Sequence, residues 1–157
     1  MERLIEKIIS GGQTGVDRAA LDVAKELGIP CGGWCPQGRR AEDGRIPDHY
    51  PLQEASSKEY PVRTRLNVED SDGTLILTAG SPTGGTALTL KLARQLHKPF
   101  LLADLARDAN PSVLGPWIRK NLIGVLNVAG PREGESSGIY ELASAFMRTA
   151  LTWGQKE

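Results

Sequence analysis

Residues 5–27 read IEKIISGGQTGVDRAALDVAKEL, and this stretch decides the fold. Ile5–Ser10 is short and rich in β-branched residues, which predicts a strand. After a glycine loop, apolar residues recur over Val16–Leu27 at the i, i+3, i+4, i+7 spacing of an amphipathic helix. Gly28 and Pro30 end that helix. Strand, glycine loop and helix in this order indicate the start of a βαβ unit.

The same alternation continues along the chain. Further strands are predicted at Ile29–Trp34, Gly73–Thr78, Phe100–Ala103 and Ile123–Val128. Further helices are predicted at Arg63–Asp70, Thr86–Leu96, Pro111–Asn121 and Ile139–Trp153. Residues 35–63 hold four prolines and are predicted to form an excursion with little regular structure. The pattern as a whole predicts an α/β, Rossmann-like three-layer fold, with a mostly parallel sheet and helices on both faces.

Length and composition narrow the class of protein. The 157 residues favour a single domain over residues 1–157, and 39% hydrophobic with 24% charged residues suits a soluble chain. A net charge of zero gives no overall field toward nucleic acid or an anionic membrane, so neither is an expected partner. Residues 1–9 contain acids and no signal-peptide core, and no apolar run approaches the ~20 residues of a membrane helix.

The two cysteines, Cys31 and Cys35, are considered first as metal ligands. A zinc site needs about four ligands, and the chain adds only His49 and His97, neither at a zinc-finger spacing. We therefore expect no protein-supplied metal site. Free cysteines are commonly buried as small apolar side chains. With no disulfide framework, the expected location is the reducing cytoplasm.

Three glycine-rich loops each follow a predicted strand and precede a helix. They are the first loop (residues 10–17), the second loop (residues 80–86) and the third loop (residues 127–138). In an open parallel sheet, ligands bind outside the carboxyl ends of the strands, where all three loops fall. The candidate ligand contacts of the first loop are Ser10, Gly11, Gly12, Gln13, Thr14, Gly15 and Asp17. Glycines admit an anion to backbone N–H groups; the alternative is a tight turn in which Asp17 starts the helix.

The second and third loops supply further candidates. In the second loop these are Gly80, Ser81, Thr83, Gly84, Gly85 and Thr86, a plausible phosphate nest with Thr86 at or near the helix N-cap. In the third loop Asn127 ends a strand and Arg132 could clamp a phosphate, although a plain surface loop is an alternative. In the excursion Arg39 and Arg40 could contact phosphate, and the alternative is an ordinary solvated loop.

Five stretches in order closely resemble the molybdenum carrier family, and the resemblance spans nearly the whole chain. They cover residues 10–22, 32–44, 65–76, 84–89 and 126–133. The resemblance implies membership of a wider Rossmann-like superfamily that includes the LOG proteins and the DNA-uptake protein DprA, whose ligands are nucleotides or nucleotide-like. It also implies molybdenum cofactor (molybdopterin) as a ligand. That phosphorylated pterin carries molybdenum on its own dithiolene, so the protein need not supply a metal ligand.

The resemblance leaves two kinds of activity open. LOG enzymes cleave a base from ribose phosphate with a Pro-Gly-Gly-x-Gly-Thr-x-x-Glu loop, and here the glutamate position falls at Thr89 or a neighbour. A carrier of a phosphorylated small molecule is therefore the first hypothesis, and no catalytic residue is assigned. A nucleotide N-glycosidase or phosphoribohydrolase and a nucleotide-sensing module are the alternatives. Superfamily relatives pair through helices beside the site, which implies a homo-oligomer.

Overall fold

The computed structural model describes residues 5–155, so the first four residues examined for a signal peptide lie outside it. The strands are β1 (Lys7–Ile9), β2 (Cys31–Gly32), β3 (Trp34–Cys35), β4 (Arg40–Ala41), β5 (Gly44–Arg45), β6 (Gln53–Glu54), β7 (Gly73–Thr78), β8 (Phe100–Asp104) and β9 (Val125–Ala129). The α-helices are α1 (Val16–Glu26), α2 (Tyr60–Asp70), α3 (Gly84–Gln95), α4 (Leu114–Lys120) and α5 (Ile139–Gln155).

Within these residues, five strands form an all-parallel sheet in the order β2-β1-β9-β7-β8. The predicted α/β, Rossmann-like fold with a parallel sheet is confirmed. Strand β7 lies inside the sheet, and all six of its residues are buried. A strand covered on both faces has a nearly continuous apolar run in its sequence, here Leu75, Ile76 and Leu77.

Helices cover both faces of the sheet. Helix α5 packs against α1 and α4 on one face, and α2 packs against α3 on the other. Leu75 and Leu77 of β7 belong to the core beneath α1, α4 and α5. Val68 of α2 and Leu92 of α3 form a separate apolar cluster. The helices that follow β7 and β9, namely α3 and α5, therefore lie on opposite faces.

The excursion is more regular than the sequence predicted. Strand β3 pairs in parallel with β6, and β4 pairs with β5 as a hairpin. Each of these strands has only two residues, too few for an alternating pattern to show in the sequence. The segment is tied to α1 because Ile46 and Tyr50 pack in a buried cluster with Leu21.

Several element boundaries differ from the predicted ones, and two of the differences concern the strand after α1 and the start of α3. The predicted strand at Ile29–Trp34 divides into β2 and β3, which belong to different sheets. Gly33 lies between them with φ of 128°, and a Cβ there would be 2.2 Å from the carbonyl oxygen of Ser10, so only glycine fits. Helix α3 begins at Gly84 with Thr83 as N-cap, rather than at Thr86. In the described part of the chain, no helix has the length and apolar character to cross a membrane.

Candidate ligand-binding site

A cavity of about 320 Å³ opens at the carboxyl edge of the sheet. Ala129 and Gly130, at the end of β9, form part of its floor, and the start of α3, which follows β7, forms one wall. The first turn of α2 forms another wall. Because α3 and α5 leave β7 and β9 on opposite faces, the cavity sits where a crevice must open between the two strands.

The start of α3 is an uncapped helix end that borders the cavity. Gly84, Gly85 and Thr86 all line the cavity, and among the described residues no side chain caps this helix. The first N–H groups of a helix have no partner within it, and the helix dipole adds partial positive charge there. Both effects favour an anion.

Arg63, on the first turn of α2, brings a positive charge to the cavity. Its guanidinium lies 3.9 Å from a carboxylate oxygen of Asp17, which also lines the cavity. The buried Nε of Arg63 has no hydrogen-bond partner among residues 5–155. Because this nitrogen is buried, what Arg63 brings to the cavity is the positive charge of its guanidinium.

Asp17 is held by backbone donors as well as by Arg63. Burial raises the pKa of its carboxyl group, while Arg63 and the N–H groups of Gln13 and Gly11 act in the opposite direction. The N–H of Gln13 donates to Asp17 at 3.2 Å. Asp17 therefore anchors the first loop and faces Arg63 across the cavity wall.

A second arginine enters from the third loop. The Nε of Arg132 lies 2.9 Å from Glu135 and 3.9 Å from Glu42, and Arg132 and Glu135 both line the cavity. Glu42 accepts hydrogen bonds from the Thr14 hydroxyl and the Gly134 N–H. These bonds and Arg132 lower the pKa of the Glu42 carboxyl group. The excursion, the first loop and the third loop are thereby joined beside the cavity.

The remaining wall is apolar and aromatic. Tyr60, Pro61 and Leu88 line the cavity from α2 and α3. The guanidinium carbons of Arg40 and Arg63 lie 4.6 and 5.6 Å from the centre of the Tyr60 ring. Cations at these distances are attracted to the ring face. The cavity thus combines positive groups with an aromatic wall, as sites for ligands with a phosphate and a planar ring do.

Comparison with known protein families gives a match over residues 8–151 to the circularly permutated YpsA SLOG family. The chain belongs to this family. The predicted resemblance is confirmed by a solved structure as well. A crystal structure of a protein named "putative molybdenum carrier protein", from Syntrophus aciditrophicus SB, is 47% identical, with a TM-score of 0.91 over 96% of this chain and 98% of that one. Comparison with curated proteins gives no match.

The strand order of the main sheet is a circular permutation of a common α/β order. Counting the five main strands from β7 onward and returning to β1 at the end, the spatial order β8-β7-β9-β1-β2 becomes 2-1-3-4-5. That is the order of flavodoxin-like folds, whose ligand site lies at the switch point between strands 1 and 3. In this SLOG chain those strands are β7 and β9, which meet at the cavity.

The structure brings residues from all three predicted loops to the cavity. These are Gln13, Asp17, Gly84, Gly85, Thr86 and Arg132. The other predicted contacts lie outside the lining and are Ser10, Gly11, Gly12, Thr14, Gly15, Arg39, Arg40, Gly80, Ser81, Thr83 and Asn127. The rule that ligands bind at the carboxyl ends of parallel strands predicts the edge of the sheet on which these loops lie. It does not predict which residues of a loop face the cavity.

Several residues outside the lining hold the loops in shape. A Cβ on Gly12 would be 2.4 Å from Leu52, and one on Gly15 would be 2.5 Å from the carbonyl oxygen of Pro131. The Ser10 hydroxyl donates to the backbone oxygen of Asp17. These two glycines allow close packing between the loops.

Three more residues outside the lining have partners elsewhere. The side-chain amide of Asn127 is buried and donates to Thr74 at 3.3 Å. The N–H of Gly80 donates to Asp104 at 2.9 Å. The guanidinium of Arg39 is buried and donates to backbone oxygens within the excursion. Arg39 organises the excursion, and Arg40 stacks on Tyr60.

Sequence reasoning missed the contribution of α2. Tyr60, Pro61, Arg63 and Thr64 line the cavity, although α2 does not follow a strand of the main sheet. Its start had one signal, since Pro61 occupies the first turn, where proline is favoured. Glu135 was also missed, because a glutamate within a run of charged and glycine residues looks like a solvated loop residue.

Proposed function

We propose that this chain binds and carries a phosphorylated pterin- or nucleotide-type ligand in the cavity, with molybdenum cofactor as the first candidate. The observation that carries the proposal is the uncapped start of α3, which opens on the same cavity as Arg63 and Arg132. A helix N-terminus with arginines nearby is a general arrangement for binding phosphate. The name of the 47% identical relative supports a molybdenum-related ligand.

The residues present fit both ends of such a ligand. Arg63 and Arg132 line the cavity, and their positive charges suit a phosphate. Tyr60, Pro61 and Leu88 suit the face of a pterin or a base. The cavity volume of about 320 Å³ falls within the ordinary range for small-molecule sites. When bound, molybdenum cofactor would bring its metal on its own dithiolene, and the protein would hold the phosphate and ring.

The metal itself has no evident cluster of protein ligands in the described residues, where no group of three or more His, Cys, Asp and Glu side chains is placed to hold one. The decisive experiment is native mass spectrometry of freshly purified protein, with elemental analysis for molybdenum. A bound mass equal to that of the pterin cofactor, with molybdenum present, supports the carrier function. A bound nucleotide without molybdenum would show that the ligand is a nucleotide and not molybdenum cofactor.

A second candidate function is cleavage of a nucleotide, and it rests on the carboxylates in the cavity. Asp17 and Glu135 both line it. The position at which LOG enzymes carry glutamate is Thr89 here, and its hydroxyl donates to the Gly85 carbonyl. Helix α3 therefore offers no carboxylate at that point to stabilise an oxocarbenium-like transition state. Release of free base from nucleoside monophosphates would establish the enzyme, and recovery of intact nucleotide would favour the carrier.

A further inference from the structure

Glu135 places a negative charge where an anionic ligand is expected. One carboxylate oxygen lies 2.9 Å from the Nε of Arg132. The other lies 3.8 Å from the position that a Cβ on Gly84 would occupy, beside the start of α3. The carboxylate of Glu135 thus lies beside both Arg132 and the N-terminus of α3. These are the two groups that favour an anion at this wall of the cavity.

The surroundings of Glu135 separate it from the other acidic residues of the loops. Glu133 accepts the N–H groups of Gly138 and Tyr140 at the start of α5. Glu42 is bonded to Thr14 and Gly134. The Glu135 side chain instead forms an ion pair with Arg132, and about a third of each side chain is exposed. A partly exposed ion pair of this kind contributes little to stability, so a stronger anion can replace it.

We infer that Glu135 is a built-in competing anion, which the phosphate of a ligand displaces from Arg132 and from the start of α3. The inference rests on the proposed function, because it assigns the phosphate of that ligand to this wall. In the free protein the carboxylate neutralises Arg132. On binding, Arg132 exchanges a carboxylate for a phosphate, and Glu135 turns to solvent. Glu135 thereby lowers the apparent affinity for every phosphate by one common factor.

The test is isothermal titration calorimetry of the full chain and its Glu135→Gln variant with two probes. The probes are adenosine 5′-monophosphate and the methyl ester of its phosphate group. At mildly alkaline pH the first carries a doubly charged phosphate and the second a singly charged one. Glu141→Gln is the matched control, because it removes the same charge from an exposed position on the first turn of α5 outside the cavity lining. A third variant, Glu135→Ala, is included because the glutamine side chain can still form a hydrogen bond and alanine cannot.

Displacement predicts that Glu135→Gln and Glu135→Ala tighten both probes by a similar factor, roughly fivefold, while Glu141→Gln leaves both unchanged. Fixed repulsion without displacement would tighten the doubly charged probe more than its ester, and this result would overturn the inference. Unchanged affinities in the Glu135 variants would overturn it as well. If neither probe binds any form of the protein, the proposed nucleotide-type binding fails together with the inference.

Discussion

The guanidinium of Arg63 lies flat against the backbone of Gly11, so that a Cβ on Gly11 would be 2.7 Å from Cζ of Arg63. This contact joins the first loop to α2 across one side of the cavity. The guanidinium of Arg63 also lies 3.9 Å from a carboxylate oxygen of Asp17, and its Cζ lies 5.6 Å from the centre of the Tyr60 ring. Together these contacts fix the position of the Arg63 charge. The absence of a Cβ on Gly11 therefore leaves room for the guanidinium of Arg63, which lines the cavity.

Replacing Arg63 should weaken binding far more than it weakens folding. We expect Arg63→Ala to lower the affinity for adenosine monophosphate about 10- to 100-fold, the usual effect of losing a charge-assisted hydrogen bond. Arg65→Ala is the matched control, since Arg65 is exposed on the same helix and pairs with Glu69. Calorimetry measures both. Equal losses in the two variants would show that the charge of α2, and not the placement of Arg63, governs binding.

Gly85 and Gly12 should respond in opposite ways to the same substitution. A Cβ on Gly85 meets no described atom within 4 Å and borders the cavity, so Gly85→Val should fold normally and lose ligand affinity by at least about tenfold. Gly12 has φ of 76° and no room beside Leu52, so Gly12→Val should lower the free energy of unfolding by about 2–4 kcal/mol. Urea denaturation and calorimetry separate the two effects. A destabilised Gly85→Val with wild-type affinity would place the ligand elsewhere.

The aromatic wall predicts that the ligand's ring, and not its phosphate, depends on Tyr60. Tyr60→Ala should weaken adenosine monophosphate roughly fivefold to tenfold, because base–aromatic stacking contributes about 1–3 kcal/mol and part of the wall remains. Tyr60→Phe keeps the ring and should bind nearly as well as the wild type. Ribose 5-phosphate, which has no base, should bind all three proteins alike. A loss for ribose 5-phosphate in Tyr60→Ala would indicate that the ring acts by positioning Arg63.

The sequence predicted the sheet and the edge that bears the cavity, because parallel strands and the loops after them follow general rules. Gly73–Thr78 and the second loop illustrate this, since β7 and the start of α3 lie close to where they were expected. What could not be predicted was how side chains far apart in sequence meet. Arg63 contacts the first loop although more than 45 residues separate them in the sequence. The two-residue strands in the intervening segment are too short to leave a periodic signal.

Arg39 shows the same limit, because the sequence offered it as a possible phosphate contact and could not show its backbone partners. Its guanidinium donates to the carbonyl oxygens of Ile46, Pro47 and Tyr50. Arg39→Ala would remove all three of these hydrogen bonds from the excursion, so we expect the free energy of unfolding to fall by about 2–4 kcal/mol. Arg40→Ala, at the exposed neighbouring position, should cost less than about 1 kcal/mol. Urea denaturation compares the two, and equal losses would contradict the bracing role of Arg39.

The last prediction concerns alkaline pH and the contact between α5 and α1. The Tyr140 hydroxyl donates to Asp22, and burial followed by this hydrogen bond raises the pKa of Tyr140 from 10.0 to about 12. Below pH 10 the phenol is neutral in the folded and unfolded states, so its contribution to stability is fully present. Between pH 10 and 12 the unfolded chain loses the proton that the folded chain retains. The free energy of unfolding must therefore fall as pH rises through this window.

Tyr140→Phe removes this titration, so the variant should lose less unfolding free energy than the wild type between pH 10 and 12. Urea denaturation at a series of pH values measures the difference, in which the titration of lysines common to both proteins cancels. Tyr60→Phe makes the same chemical change at a tyrosine away from Asp22, and serves as the control. If the stability curves of the wild type and Tyr140→Phe run parallel through the window, the hydrogen bond to Asp22 does not hold the Tyr140 proton in solution.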